Sequence, residues 1–208
     1  MLEVILKGHD KFYLISDVVR MFCGVPEELK DESKVIAPEG PDITLVNELF
    51  PDGRSVTHFN GRDYEFEGEL LASGREIRRS LYMALSDITS KNMPWGCLTG
   101  IRPTLVAWEE ESAEDLMTKY FVRADKAKLA YETSREEQRL LSKVPENSLG
   151  VYVGVPFCPS RCEYCSFISS DISCHMDRLV NYEAALEREI KLMAPSIKRP
   201  LSSLYVGG

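Results

Sequence analysis

Three cysteines stand close together in the last quarter of the chain, at the spacing CxxxCxxC: Cys158, Cys162 and Cys165. A short apolar run at residues 151–155 directly precedes them, and its β-branched residues predict a buried strand. The cysteines are therefore expected on a loop that leaves the C-terminal end of a strand, where α/β folds place their chemistry. Three thiolates on one short loop can hold an iron–sulfur cluster and leave one iron open to a small molecule.

Two other interpretations of these cysteines are open. Cys162 and Cys165 could join Cys174 and His175 in a zinc site with three sulfur ligands and one nitrogen ligand. Alternatively, the three thiols are buried and unreactive. For Cys174 and His175 themselves, we favour an ordinary loop pair over a contact to substrate or metal. Arg161, inside the cysteine loop, is either a partner for a substrate carboxylate or a solvated side chain.

Residues 152–167, with the sequence YVGVPFCPSRCEYCSF, resemble the radical S-adenosylmethionine (radical SAM) superfamily. The resemblance is closest to its oxygen-independent coproporphyrinogen III oxidase group. In that group a tyrosine stands six residues before the first cysteine, as Tyr152 does, and an aromatic residue precedes the third, as Tyr164 does. Residues 94–104, with the sequence PWGCLTGIRPT, are similar to a segment of the HemZ branch, the coproporphyrinogen dehydrogenases. The resemblance extends from about residue 80 to the end of the sequence.

The resemblance implies a cofactor pair and the residues that hold it. A 4Fe-4S cluster would be bound by Cys158, Cys162 and Cys165, with S-adenosyl-L-methionine (SAM) on the fourth iron. Tyr152 would lie near the methionine end of SAM, and Tyr164 beside its adenine. A strand predicted at residues 204–206 runs into Gly207 and Gly208, whose backbone could approach the amino group of SAM. The resemblance assigns no catalytic residue that can be carried over to this sequence.

The resemblance also implies a reaction. Two propionates of coproporphyrinogen III would be oxidatively decarboxylated to vinyl groups, which gives protoporphyrinogen IX. A 5′-deoxyadenosyl radical would take a hydrogen β to each carboxylate, and CO2 would leave as one electron passes to an acceptor; an electron donor would reduce the cluster. Phe167 stands where the best-known oxidases carry a fourth cysteine, and the heme-chaperone branch also has phenylalanine there. A heme-binding protein without oxidase activity is therefore the alternative function.

The order of predicted elements, together with what the resemblance implies for the last of them, divides the chain into three parts. Residues 1–74 are expected to form a small α+β domain, 75–148 a helical segment and linker, and 149–208 the start of a radical SAM domain. The expected fold is α/β, with the last part forming the beginning of a (β/α) partial barrel. Since only about 58 residues follow Gly150 and a barrel needs roughly 200 or more, we expect a fragment that is inactive on its own.

Local patterns predict the elements in more detail. Strands are expected at residues 2–7, 43–49, 55–60 and 63–71, forming an antiparallel sheet, and residues 25–41 are expected to be a loop. Helices are expected at 11–21, 76–89 and 124–141, with others beginning at Pro103, after Ser112 and at a cap formed by Asp177. The arginines at 75, 78 and 79 are expected on a solvated helix face, and Cys23 and Cys97 in the core.

Composition excludes some classes of function. The net charge of −8 argues against a nucleic-acid partner, which usually requires a basic surface. No stretch approaches the roughly 20 apolar residues of a membrane span, and the first seven residues are too short and too charged for a signal peptide. Six cysteines without an export signal predict a reducing compartment, so we expect a cytoplasmic protein. The resemblance implies a porphyrinogen or heme as its partner.

Overall fold

The computed structural model describes residues 1–68, 73–160, 162, 163, 165, 167 and 169–207, with only the backbone described for Ser73 and Cys174. The chain divides into two compact units, Met1–Glu137 and Gln138–Gly208. Helices and strands occur in both, so the mixed α/β character predicted from the sequence is confirmed. The partial barrel and the domain boundaries after residues 74 and 148 stay predictions.

A six-stranded sheet forms the centre of the first unit. Its strands are β1 (Leu2–Lys7), β2 (Glu27–Leu29), β3 (Lys34–Ala37), β4 (Ile43–Leu49), β5 (Ser55–Phe59) and β6 (Arg62–Phe66). Their spatial order is β2-β3-β1-β4-β5-β6. Every neighbouring pair is antiparallel except β1 and β4, which run parallel with Leu2 opposite Ile43. The sheet is therefore mixed, and the expectation of a purely antiparallel sheet is wrong. The intervening helix and hairpin supply the long crossover that a parallel pair requires.

The segment expected to be a loop at residues 25–41 contains the two strands β2 and β3. They are joined by a 3-10 turn at Lys30–Glu32, and β3 buries Val35 and Ala37 completely. The sequence prediction failed because β2 has only three residues and its charged side chains lack an apolar alternation. Such short, charged strands are typical of sheet edges, where they discourage pairing with other chains.

Within the described residues, five α-helices complete the first unit: α1 (Phe12–Cys23), α2 (Ser73–Thr89), α3 (Pro103–Glu109), α4 (Ala113–Tyr120) and α5 (Ala124–Leu141), the last of which continues into the second unit. The bounds predicted for α5 and the first position predicted for Pro103 are confirmed. The capping box at the start of α4 is also confirmed, because the Asp115 amide donates to Ser112 Oγ and the Ser112 amide donates to Asp115 Oδ2.

Helices α1 and α2 contact each other and cover the sheet, which creates one apolar core. Fourteen of its described residues have no exposed surface: Leu2, Val4, Ile15, Val18, Val19, Val35, Ala37, Leu45, Ile77, Leu81, Leu85, Ala107, Leu116 and Ala127. At roughly 1.5–3 kcal/mol for each fully buried aliphatic side chain, this core is the main source of stability in the unit. Cys23 and Cys97 are buried too, as predicted.

The arginines of α2 do not form the solvated face that was expected. Arg78 is only 8% exposed, with its Nη2 atom 3.9 Å from Asp17 Oδ2. Arg79 donates to Glu76 Oε2 at 2.8 Å and lies over the ring of Phe66. Each guanidinium thus has one acidic partner, and that of Arg79 also has an aromatic one, which offsets part of the cost of burial. The prediction was wrong because local spacing does not show which later segment covers a helix.

In the part of the second unit that the structure describes, four strands and one long helix follow the end of α5. They are β7 (Leu149–Gly154), β8 (Phe157–Cys158), β9 (Ser170–Asp171), α6 (Met176–Met193) and β10 (Leu201–Gly207). β7 pairs parallel with β10, and β8 pairs parallel with β9. The strands predicted before and after the cysteines are confirmed. The predicted cap is wrong: α6 begins at Met176, and Asp177 lies inside its first turn.

The described part of the chain includes no helix with both the length and the apolar character that crossing a membrane requires.

The turn at Gly96 is held against the end of α4 by backbone contacts. The Cys97 amide donates to the carbonyl of Tyr120 at 3.0 Å, and Gly96 has a positive φ of 55°. A Cβ atom on Gly96 would lie 2.0 Å from the Tyr120 oxygen. By contrast, Gly61 has a φ of 77° but would place a Cβ in open space. Alanine substitutions at these two glycines therefore distinguish the effect of backbone strain from that of steric overlap.

We expect Gly96→Ala to lower the free energy of unfolding by ~3 kcal/mol or more, because strain and overlap act together. Gly61→Ala carries the left-handed strain alone and should cost about 1 kcal/mol. Urea unfolding of both variants followed by circular dichroism measures the difference. Equal losses in the two variants would contradict the packing described for this turn.

His9 is held in its neutral form by a buried polar network. Its Nε2 atom lies 2.9 Å from Asn47 Oδ1, and its Nδ1 atom accepts a hydrogen bond from the Lys11 amide. Asn47 in turn donates to Thr57 and Ser80. Burial lowers the pKa of His9 below its ordinary value, although the bond to Asn47 opposes the shift. Protonation would also place a hydrogen on Nδ1. That hydrogen would face the Lys11 N–H, whose hydrogen bond Nδ1 now accepts.

Because the pKa of His9 is lower in the folded than in the unfolded state, the unfolded state binds the extra proton as the pH falls. The stabilisation is present above about pH 6.5, the unfolded value, and is lost as the pH drops toward the folded value. We expect His9→Gln to remove this part of the pH dependence of the unfolding free energy. His58→Gln, which leaves the network intact, should retain it. Urea titrations between about pH 5 and 7.5 test this, and an unchanged slope in His9→Gln would contradict it.

Candidate functional site

A cavity of about 530 Å³ lies at the C-terminal end of β7. Its walls include Tyr152, Gly154, Cys158, Cys165, Phe167 and Tyr182. Pro156 and Val155 contribute further apolar surface, so the cavity is largely hydrophobic with a few polar groups. Volume and character are typical of a site for a small molecule.

The three cysteines of the loop have different environments. Cys158 is half-buried in β8 and pairs with Asp171 in β9, and Cys165 is half-buried after a turn in which its amide donates to the Cys162 carbonyl at 3.0 Å. Both line the cavity, whereas Cys162 is exposed and is not among its walls. Where side chains are described, no three Cys, His, Asp or Glu residues form a group that could hold a metal ion.

The three side chains are nevertheless of the chemical type that binds an iron–sulfur cluster. All three are thiols, none is in a disulfide, and all lie on one loop of eight residues from Cys158 to Cys165. Sulfur ligands suit iron–sulfur clusters and zinc, while magnesium and calcium prefer oxygen. The zinc set considered above includes Cys174, whose side chain lies outside the described residues.

Tyr152 and Gly207, two of the predicted SAM-contacting residues, are in contact with each other. The hydroxyl of Tyr152 donates to the Gly207 carbonyl at 3.2 Å, and its ring stacks on Tyr205 with centroids 5.2 Å apart. The same Gly207 carbonyl accepts from the Val155 amide at 2.8 Å. The end of β10 is therefore bound to the start of the cysteine loop. Tyr164, Gly208 and Arg161 lie outside the described residues.

The sequence analysis did not identify Tyr182 as part of this site. It lies in α6, its hydroxyl donates to the carbonyl of Gly154, and its ring meets Phe157 edge-on at 5.4 Å between centroids. One signal could have found it: Tyr182 follows Leu179 by three residues, so it shares the face that Leu179 and Leu186 define. Nothing local, however, indicates that its partner is a strand end 28 residues earlier.

Comparison with known proteins gives two named relatives. Over 145 residues, 62% of this chain, it is 29% identical to the oxygen-independent coproporphyrinogen-III oxidase-like protein HemZ of Bacillus subtilis, of which the match covers 28%. Over 69 residues, 33% of this chain, it is 35% identical to an oxygen-independent coproporphyrinogen III oxidase of Mannheimia haemolytica, of which the match covers 47%. The resemblance to this group is confirmed. The matches thus span between about a quarter and a half of these relatives. No family model and no solved structure matches the chain.

The burial of the cysteines predicts an order of reactivity toward iodoacetamide in the folded, iron-free protein. Cys162 should react first, because it is exposed, and Cys158 and Cys165 more slowly. Cys97 should react last, since burial raises the pKa of its thiol to about 12 and leaves almost no thiolate. Peptide mass spectrometry during a time course measures each rate, with a urea-unfolded sample as control. Labelling of Cys97 as fast as that of Cys162 would contradict the described burial.

Proposed function

We propose that this chain is part of a radical SAM oxidoreductase of porphyrin and heme biosynthesis. Its reaction would be the oxidative decarboxylation of coproporphyrinogen III to protoporphyrinogen IX. The observation that carries the proposal is that Cys158, Cys165 and Tyr152 line one cavity at the end of β7. The names of the two relatives support the substrate and the reaction.

In this proposal the cysteines at 158, 162 and 165 hold a 4Fe-4S cluster, and Tyr152, Tyr164, Gly207 and Gly208 contact SAM. When bound, the cluster and SAM supply one-electron chemistry that can remove hydrogen from an unactivated C–H bond. The chain's own groups position these cofactors. Tyr152 fixes the Gly207 carbonyl, and Pro156 and Phe167 give the cavity wall apolar surface.

The unit around the cavity is proposed to be the start of a (β/α) partial barrel. A parallel strand pair joined by a helix is its repeating element, and β7, α6 and β10 have this order and direction. Parallel sheets are normally covered on both faces, yet Leu204, Tyr205 and Val206 of β10 are each more than 60% exposed. This exposure supports further elements that cover β10 in a larger barrel. In this proposal the chain is a fragment, inactive alone, of a cytoplasmic protein that receives electrons from a donor.

One observation favours a second function. Phe167 lines the cavity next to Cys165 and is 72% exposed. An exposed aromatic ring in a cavity wall can stack on a flat macrocycle. We therefore keep, as the alternative, a heme-binding protein that uses the same cluster without decarboxylating coproporphyrinogen.

The cluster is tested first, by anaerobic reconstitution of the complete protein with iron and sulfide. Electron paramagnetic resonance of the reduced protein should show a 4Fe-4S signal that changes when SAM is added. Cys165→Ala should lose this signal, because one sulfur ligand is removed. Cys23→Ala, a buried cysteine in the first unit, is the matched control and should keep it. Zinc retained in place of iron and sulfide would reject the proposal.

The substrate is tested next, with the reconstituted complete protein, SAM and a reductant. Conversion of coproporphyrinogen III to protoporphyrinogen IX, followed by chromatography and mass spectrometry, is the expected result. Tight binding of one heme per chain, with the propionates of coproporphyrinogen unchanged, would instead establish the alternative function.

A further inference from the structure

We infer that Tyr182 is a positioning residue of the cavity, which fixes the backbone between β7 and Cys158. The contacts that carry this inference belong to the second unit alone. The identity of the group that Cys158 binds rests on the proposed function. The role of Tyr182 in positioning Cys158 is independent of it.

The peptide bond between Gly154 and Val155 is held at both of its polar atoms. Its carbonyl oxygen, on Gly154, accepts a hydrogen bond from the Tyr182 hydroxyl. Its N–H, on Val155, donates to the Gly207 carbonyl at 2.8 Å. In a trans peptide these two groups point in opposite directions. The peptide plane is therefore clamped between helix α6 on one side and strand β10 on the other.

The aromatic ring of Tyr182 makes a second contact on the same stretch. It meets Phe157 at 5.4 Å between centroids and an angle of 64°, an edge-on geometry that aromatic pairs favour. Phe157 directly precedes Cys158. Tyr182 thus touches the chain at residue 154 through its hydroxyl and at residue 157 through its ring.

The residues between these two contacts have little remaining freedom. Pro156 fixes its own φ angle, and its carbonyl accepts a hydrogen bond from the Ser170 amide at 2.9 Å. Cys158 is then paired with Asp171 in β9. Backbone groups supply the contacts to β9 and β10, whereas a side chain supplies the contact to α6. The Tyr182 hydroxyl can therefore be removed by mutation without altering the sheet contacts.

The matched pair of variants is Tyr182→Phe and Tyr205→Phe in the complete protein. Both lose one phenol hydroxyl of the same unit and keep the aromatic ring. Tyr182→Phe keeps the edge contact to Phe157, and Tyr205→Phe keeps the stacking on Tyr152. Hydrogen exchange followed by mass spectrometry reports on the amides within residues 155–158, which are those of Val155, Phe157 and Cys158 because Pro156 has no N–H, and on those of α6 as an internal reference.

We expect exchange at residues 155–158 to be about five- to tenfold faster in Tyr182→Phe than in Tyr205→Phe, the effect of losing one hydrogen bond. The α6 amides should exchange alike in both, and the melting temperature of Tyr182→Phe should be lower by roughly 2–8 °C, because the lost bond also stabilises the folded state as a whole. In the reconstituted protein, a chelator should also remove iron about five- to tenfold faster from Tyr182→Phe than from Tyr205→Phe, because Cys158 is less firmly placed.

Equal exchange at residues 155–158 in the two variants would overturn the inference. Faster exchange throughout the unit, including α6, would also overturn it, because Tyr182 would then contribute to general stability and not to local position. A wild-type protein that takes up no cluster rejects the proposed function alone, since the exchange measurement needs no iron.

Discussion

The parallel pairing of β7 with β10 is the constraint on which the candidate site depends. It places Tyr152 opposite Tyr205 and Gly154 opposite Gly207, so that both strands end at the same edge. The cysteine loop leaves from this edge, and the Gly207 carbonyl receives two hydrogen bonds from the neighbouring strand and its continuation. Since side chains two residues apart in a strand share a face, Tyr152 and Gly154 can line the same cavity. An antiparallel pairing would separate these groups by the length of the strands.

The sequence contains strong local signals for the donors of this site. Cysteine spacing and the short apolar run before it predict a loop after a strand, and β7 ends at Gly154, four residues before Cys158. The position of the strand partner is also predictable, because residues 204–206 repeat the apolar pattern. Local signals do not show which distant residues complete the wall of the cavity. The contact between Tyr182 and Gly154 joins residues 28 positions apart, and the Tyr182 hydroxyl is compatible with a solvated helix face until that contact is known.

The first unit shows the same division between local and distant causes. Helix α5 was predictable to the residue because helix-forming side chains fill it from end to end. The parallel pairing of β1 with β4 was not, since it depends on where β3 joins the sheet. The buried position of Arg78 likewise depends on Asp17 and on residues 97–101, which come from other parts of the chain. Charged residues at helical spacing indicate a solvent-exposed helix face only when no other segment of the chain packs over them.

The two candidate functions share the cysteine loop, so the choice between them depends on the rest of the cavity wall. A fourth thiol at residue 167 would add a group that can be oxidised, ionised or bound to metal. Phenylalanine there can do none of these, and contributes an exposed apolar ring instead. Such a ring can stack on the flat, conjugated macrocycle of heme, whereas the methylene bridges of a porphyrinogen make its ring system non-planar. The phenylalanine ring therefore supports binding of heme more directly than it supports decarboxylation. Chemistry on the propionates must then come from groups that reach the ligand from elsewhere than this position.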